Sequence, residues 1–527
     1  MNRKRTLGAL TALVSGAALW ACASITNDVC DYPGACSADG SVAPGDSGAD
    51  AISSCDPQKD VTCISEEKGF FVKAGSQGGD GTRAKPFAKI QEGIEAATAA
   101  KFRVYVCEGD YAETVSIKKT VGVYGGLTGC DATTWTPTVG RMSKVRAAAG
   151  YALDASAGSI ELTDLTFTAP DFTGQTETTE GTAGKSSIAA FIHSGADVQA
   201  KRTSFVAQGG GNAKPTMADP SGTGAAGGMG GTADGTNVGT SGTSSCGVAG
   251  GQGGKGGSSA VVDQSTAGKP APTASGMPGT RGCNRDVAAP APCEGGSGAC
   301  GNGRDGAGGA SGAGSTPATK LGDLAAAGFT PAAGVTGGSG GNGGGAGGGG
   351  GGNSGGQNGG GGGGGGCGGT GGKGGGAGGA SIAILVHDAR LACSDGCAAK
   401  AGAGGTGGKG QKGQQGGTGA DNGGQSGAGS CAGGIGGGGA GGQGGQGGAG
   451  GLAAGMVFGG TASVTWAGQP VADTTAALKD VAAGTPGKPG EAGDPGGPGA
   501  STGNAGSIGA PSTAGPSEAT ASAAKKL

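Results

Sequence analysis

Residues 158–169 read GSIELTDLTFTA and residues 196–207 read ADVQAKRTSFVA. Laid on each other at an offset of 38 residues, Ile160 meets Val198 and Phe167 meets Phe205. Alternating apolar residues that recur in register are what a chain needs to pass repeatedly through parallel strands, because the inward side chains of one pass bury those of the next. Further passes fit downstream. Ser187–His193, SIAAFIH, matches Ser381–His387, SIAILVH, at an offset of 194, and Ala453–Phe458, AAGMVF, reads as another strand of the same kind. The spacing between matched passes swells wherever glycine-rich sequence intervenes. Residues 208–380 and 401–450 are therefore expected to be insertions at the turns, with 381–400 and 451–480 returning to one common stack, since a lone pass has no neighbour to bury its face against.

Upstream of the repeat, Phe70–Val72 reads as a short strand, Gly75–Thr82 as a loop and Ile90–Ala100 as a helix with Ile90, Ile94 and Ala97 on one face. Arg103–Cys107 and then Val115, Ile117, Val121 and Val123 alternate as strands, and Gly125-Gly126 ends the run. The string FVKAGSQGGDGTRAKPFAKIQEGIEAA, followed by RVYVCEGDYAETVSI and VGVYGG, resembles the N-terminal cap and first coils of right-handed parallel β-helix proteins of the pectate-lyase-like class. The resemblance covers roughly residues 69–207, and the cap and first coils are expected over 67–207. It implies an all-β fold, a right-handed parallel β-helix closed by an N-terminal capping helix. It implies nothing specific about activity, because the same cap introduces lyases, epimerases, adhesins and proteins without catalysis.

Composition sets the frame for the rest. Glycine supplies 136 of 527 residues, while apolar residues make up 34% and aromatics 3%, so a large globular enzyme core is excluded. The formal net charge of −3 gives no electrostatic case for nucleic acid. Glycine comes as GG-x steps, as in Gly441–Ala449, without the strict triplet phase of collagen. Such runs carry no side chains for a core, and glycine loses more backbone freedom on ordering than any other residue. Two states are open to them: largely irregular chain, or bundled strands of polyglycine-II type that share hydrogen bonds. The runs resemble the glycine-rich parts of PE-PGRS-type envelope proteins, without the helical domain that opens that family. Gly484–Gly499 keeps five Gly-X-Y triplets, too few for a triple helix, so residues 481–527 read as a Gly/Pro linker followed by a Ser/Ala-rich tail.

The N-terminus reads as an address. Arg3, Lys4 and Arg5 precede an apolar stretch, Leu7–Trp20, that is too short to span a bilayer. Leu19-Trp20-Ala21-Cys22 resembles the bacterial lipobox, which implies a signal peptide over residues 1–22, lipidation of Cys22, a membrane partner through that lipid and, since Ala23 is not Asp, the outer membrane. Secretion after cleavage at Ala21-Cys22-Ala23 is the alternative. Residues 23–66 read as a polar tether with cysteines. Beyond Cys22, fourteen cysteines remain, an even number suited to an oxidising compartment. Pairs close in sequence are Cys30 with Cys36, Cys55 with Cys63, Cys107 with Cys130, Cys293 with Cys300 and Cys393 with Cys397, and spacing alone does not fix the connectivity.

Catalytic chemistry is thinly represented. The two histidines, His193 and His387, sit at matching strand positions, where Ala155 and Phe458 are read as their equivalents in other passes; variation of that kind suits a stacking row. Acid–base work on a polysaccharide would need clustered carboxylates, or a carboxylate beside a base, and the candidates are Asp154, Asp164, Asp171, Asp197 and Lys201-Arg202, with Asp164 and Arg202 on one face of neighbouring passes. Thr182–Ser186 has the GKS end of a phosphate loop but lacks its first glycine, Thr179 standing in that place. No cofactor or metal site is expected. The sequence reading is an exported cell-envelope lipoprotein with a structural, adhesive or surface-interaction role, its partners surface polysaccharide or other envelope proteins; the alternative is a carbohydrate-active β-helix enzyme, a lyase or hydrolase.

Overall fold

The computed structural model describes residues 55–253, 303–346, 358–424 and 431–472 apart from scattered positions, with short C-terminal stretches that include 481–482 and 522–527. The fold is all-β and built on parallel sheets. Three sheets share the strands, and the chain visits them in constant rotation. One circuit runs through Ser159–Thr163 in the first sheet, Leu165–Thr168 in the second and Ser187–His193 in the third; the next runs through Asp197–Lys201, Ser204–Val206 and Ser381–His387. The following circuits supply Arg390–Ser394, Ala398–Lys400 and Ala453–Gly459, then Ser463–Trp466, Val481–Ala482 and Ser522–Lys526.

The 38-residue alignment is the pairing register. Val198 lies opposite Ile160, and Phe205 opposite Phe167 with their rings stacked at 5.8 Å between centroids. Ser187–His193 pairs with Ser381–His387 as the sequences match, and Ser381 in turn with Ala453. Inward positions therefore form apolar rows such as Ile160, Val198, Leu391 and Val464, all buried. Corners between the first and second sheets carry Asp164, Arg202 and Asp395 at φ of 55°, 46° and 52°, a left-handed turn repeated once per circuit.

The N-terminal end is closed by the helix Ile90–Ala96, with Ile90 and Ile94 in the core. Both of its ends are satisfied from the next circuit. Glu113 accepts the amides of Ile90 (2.8 Å) and Gln91 (3.0 Å), and Lys119 Nζ donates to the carbonyls of Glu95 (3.0 Å) and Ala97 (2.8 Å). The helix stops four residues short of the expected Ala100 because Ala97 is already extended, at ψ 136°. Order also begins earlier than expected. Cys55 and Ile64 are buried with Phe71, Tyr105, Tyr124, Leu127 and Trp135 in a second apolar cluster that includes Cys107 and Cys130, so residues 55–66 belong to the body and not to a tether.

The glycine-rich segments are ordered by hydrogen bonds with a period of three. The amides of Gly363, Gly366, Gly369, Gly372, Gly375 and Gly378 bond to the carbonyls of Gly434, Gly437, Ala440, Gln443, Gln446 and Ala449 in a parallel pair. Gly334, Gly337, Gly340 and Gly343 donate to Gly375, Gly372, Gly369 and Gly366 in an antiparallel one. Around the run 359–367 the partners fall in six segments: 225–231, 239–242, Gly251, 343–346, 417–424 and 431–437. Of the two states open to these runs, the described parts take the ordered, hydrogen-bonded one, with a three-residue step and six neighbouring segments. None of the described glycines in the runs 334–346, 358–379, 402–424 and 431–451 has a positive φ. They are needed for close approach: a Cβ on Gly371 would overlap the carbonyl of Gly337, one on Gly372 that of Gln411, and one on Gly445 that of Lys373. The third position of a triplet is exposed at Thr370, Lys373, Thr406 and Thr418, and buried along the run 434–449, as at Gln443, Gln446 and Ala449.

These runs continue the sheets. Ala207, Gly210 and Ala213 donate to Lys400, Ala403 and Thr406, extending the second sheet outward, while Gly378 and Ser381 donate to Ala449 and Leu452, leading back into the third. The neck is clamped by two buried serines. Ser187 Oγ donates to Pro170 O (2.7 Å) and accepts from Gln208 N (2.9 Å); Ser381 Oγ donates to Gln208 O (2.6 Å) and accepts from Gly402 N (2.8 Å). Two further differences from expectation follow. The segment 208–380 contains an antiparallel hairpin, Gly322–Ala325 with Gly328–Pro331, whose Leu324 and Phe329 cover the outer face of the third sheet. The C-terminal segment, expected as a linker and tail, supplies Val481–Ala482 to the second sheet and Ser522–Lys526 to the third.

Replacing Gly371 by Ala should destabilise the bundle by about 1–3 kcal/mol, the cost of overpacking against a backbone that cannot retreat, whereas Thr370→Ala should stay within about 0.5 kcal/mol. Hydrogen exchange at the amides of Gly337, Gly340, Gly372 and Gly375 reads the difference: G371A should lose protection there with strand amides such as Val198 unchanged.

Candidate functional site

The histidines stand on the outer face of the third sheet, and their row differs from the sequence reading. Ile192 pairs with Ala155 and Val386 with Phe458, so His193 and His387 lie opposite each other and the row continues to Gly459; Ala155 and Phe458 belong to the inward row beside it. His193 stacks on Phe191 at 4.1 Å, with Nε2 2.9 Å from Asp154 Oδ1 and Nδ1 2.9 Å from Ser194 Oγ. His387 Nδ1 lies 3.2 Å from Asp388 Oδ2. Asp388 is itself turned to Thr461, accepting its amide (2.8 Å) and hydroxyl (3.1 Å), which holds its carboxyl below the usual range.

The other candidates are brought into separate clusters. Asp164 and Arg202 meet across the 38-residue register in a two-pronged contact, Nε to Oδ1 at 2.9 Å and Nη2 to Oδ2 at 3.1 Å. Arg202 also binds Asp56, Nη2 to Oδ1 at 2.8 Å and Nη1 to Oδ2 at 3.2 Å, so one guanidinium joins two corners of the body to the N-terminal segment. Burial pushes Asp164 up despite the arginine. Burial also works against Asp56, but there the hydrogen bond and charge of Arg202 win and hold the carboxyl down. Asp171 caps Thr173 on the surface, and Asp197 faces Arg390 at 3.7 Å. Lys201 reaches Glu161, 2.9 Å from Oε1, and Tyr124 donates to Oε2 at 2.8 Å; burial raises the Glu161 carboxyl against both bonds. Glu161 is absent from the sequence candidates, although its place in GSIELT opposite the Lys201 strand is a signal that could have found it.

The phosphate-loop lookalike serves the neck: Ser186 Oγ accepts the amide of Ala380 at 3.0 Å, and Lys185 lies over the Phe172 ring. Disulfides join Cys55 to Cys63, Cys107 to Cys130 and Cys393 to Cys397. A fourth, Cys246 to Cys367, spans 121 residues and pins the segment around 246 to the central glycine run; no local spacing reveals it. Cys22, Cys30, Cys36, Cys293 and Cys300 lie outside the described residues. Among the described residues no group of three or more His, Cys, Asp or Glu is placed to hold a metal ion.

No protein-family model, curated protein or solved structure matches the chain.

The Asp154–His193, Asp164–Arg202, Glu161–Lys201 and Asp197–Arg390 contacts each join successive circuits, while Asp171 serves a local cap. Arg202→Met would leave two largely buried carboxylates without their shared cation and should cost about 3–5 kcal/mol, measured by chemical denaturation at pH 7. The sign with pH follows from linkage. In the parent chain the depressed Asp56 contributes above the ordinary carboxylate range and loses that contribution as pH falls through its lowered value. In R202M both carboxyls titrate above their unfolded values, so the deficit against the parent should shrink as pH falls from 7 toward 4.

Proposed function

We propose that this chain is an exported, lipid-anchored protein of the bacterial cell envelope, a right-handed parallel β-helix that displays a glycine bundle in a structural or adhesive role. The observation that carries the reading is the bundle. Its helices are direct continuations of strands from the second and third sheets, they emerge at one corner in successive circuits, and side chains such as Thr370, Lys373, Thr406 and Thr418 face outward from it. That is an arrangement for presenting a rigid surface.

Three sheets visited in rotation with in-register parallel pairing support the β-helix as the body. The disulfides support folding in an oxidising compartment. Anchorage at Cys22 would place the body at the end of the 32 residues between it and Cys55, a reach of up to roughly 100 Å when extended. Cys55 is where the tether would meet the body, and it is fastened there by its disulfide to Cys63 and by the Asp56–Arg202 contact.

Replacing Cys22 by Ser should move the protein from the membrane to the soluble fraction, and unchanged fractionation would overturn the anchor. Incubation of the purified protein with acidic polysaccharides should leave their chain length unchanged; depolymerisation that disappears in an Asp154→Asn variant would overturn the non-enzymatic reading.

A further inference from the structure

At the N-terminal end of the body, an open cleft of about 370 Å3 lies between the loop that follows Val72 and the turn at Cys130–Ala132. Its walls carry Lys73, Arg83 and Lys85, and Asp131 is the one acid among its described lining residues. The walls are fixed. Lys85 O accepts the amides of Asp80 (2.9 Å) and Gly81 (3.0 Å), Asp80 caps Thr82 through its amide (3.1 Å) and hydroxyl (2.7 Å), and Cys130 on the opposite wall is tied to Cys107.

The three cations are not equally free. Arg83 lies over the Phe71 ring at 4.9 Å and donates to the carbonyl of Ile64, while its own amide is taken by Glu66 at 2.7 Å. Lys73 is held by Asp131, which is 89% exposed and so a weakly committed partner. Lys85 is exposed and forms no direct ion pair among the described residues, although Asp80, whose carboxyl is held down mainly by Thr82, also feels its charge. A second cleft nearby, lined by Glu95, Ser116, Lys118 and Lys119, offers a contrast, because its Lys119 ammonium is consumed in capping the helix.

We propose that the first cleft binds one acidic sugar unit of a polysaccharide, with the carboxylate or sulfate between Lys73 and Lys85 and the hydroxyls toward Ser76 and Gln77. Preformed, mostly polar walls with surplus positive charge suit a compact hydrated anion. No aromatic side chain is among the described lining residues of the cleft, so they offer a neutral sugar no stacking platform. The proposal rests on the adhesive reading above and names its partner class. Fractionation of the Cys22 variant tests anchorage without any ligand, so the two can fail separately.

The test is titration calorimetry of the full chain with tetramers of galacturonate, of sulfated galactose and of unmodified galactose, and with inorganic phosphate alone. An acidic tetramer should bind and the neutral one should not, and the stronger of the carboxylated and sulfated forms identifies the source of the charge. Lys73→Gln with Lys85→Ala should weaken that binding about tenfold or more, since charge-assisted hydrogen bonds are lost. Asp131→Asn should tighten it about two- to fivefold by releasing Lys73, an effect that a merely structural ion pair would not produce. Raising salt from about 0.05 to 0.5 M should weaken it. Equal binding of neutral and acidic tetramers, phosphate binding as tight as the tetramer, no binding at all, or a D131N variant that binds more weakly would each overturn the proposal; circular dichroism of the variants checks that they remain folded.

Discussion

Two backbones can share hydrogen bonds along a three-residue repeat only if nothing stands between them. At Gly371, Gly372 and Gly445 the space a Cβ would need is already filled by a neighbouring carbonyl, and the same holds at Gly365, Gly366, Gly368, Gly369, Gly374, Gly375 and Gly378 of the central run. This steric exclusion, more than any turn, explains why glycine dominates the composition. The GG-x phase then has a physical meaning: two residues of a triplet face other backbones and the third has room for a side chain, exposed where the run lies at the rim, as at Thr370 and Lys373. At two buried third positions, Gln443 and Gln446, the side chain completes the hydrogen bonding. Gln446 Oε1 accepts from Ala318 N (2.8 Å) and its Nε2 donates to Ala318 O (3.0 Å), while Gln443 Oε1 accepts from Gly338 N (2.9 Å). Gln411 and Gln414 do the same at the rim, bridging to the carbonyls of Ala218 and Ser221. The interior is held by satisfied backbone groups and needs no apolar core.

Order of this kind has to overcome glycine's large loss of backbone freedom, and the three-sheet body is what makes that feasible. The first rungs of the bundle are set by strands already in register: Ala207 on Lys400 on one side of the neck, Ser381 on Leu452 on the other. From there the period changes from two to three without interrupting the ladder. Ser187 and Ser381 sit at that change, each bonding the outgoing chain on one side and the next outgoing chain on the other. Their recurrence in SIAAFIH and SIAILVH therefore follows from closing the neck, whereas the apolar residues after them follow from filling the sheets.

How far the sequence could be read depended on whether the partner of a residue lay at a repeating distance. The 38-residue offset located the pairings of Ile160 with Val198 and Phe167 with Phe205, and with them the contact of Asp164 with Arg202. It misplaced the histidine row because the corner from the third sheet to the first is one residue longer after Ile192 than after its partner Ala155. The third sheet thus repeats at 37 residues, Tyr151 opposite Ile188, where the first repeats at 38, Ser159 opposite Asp197. Cys246 and Cys367, and the pairing of Gly334 with Gly375, lie outside any such repeat; a glycine triplet matches every other triplet, so its sequence carries no register. The ordering of residues 55–66 was hidden for a different reason: Asp56 and Cys55 are polar or small residues tied to the body by individual contacts, Asp56 to Arg202 and Cys55 to Cys63, and not by a pattern.

The same indifference of triplet to triplet makes the bundle adjustable where the body is not. A residue added inside Ser159–Thr163 would turn every inward side chain of that strand outward, but a triplet added to an outgoing glycine run returns each side chain to its own direction. It needs only a matching triplet on the way back, as the antiparallel rungs from Gly334–Gly375 to Gly343–Gly366 illustrate by stepping through both runs together in threes. Length can therefore vary in triplets at the second-to-third-sheet corner while the strands, the neck serines and the Arg202 contact keep their places. The fixed body and the extensible bundle are two solutions to one problem, how to satisfy every backbone group, reached with side chains in the first and without them in the second.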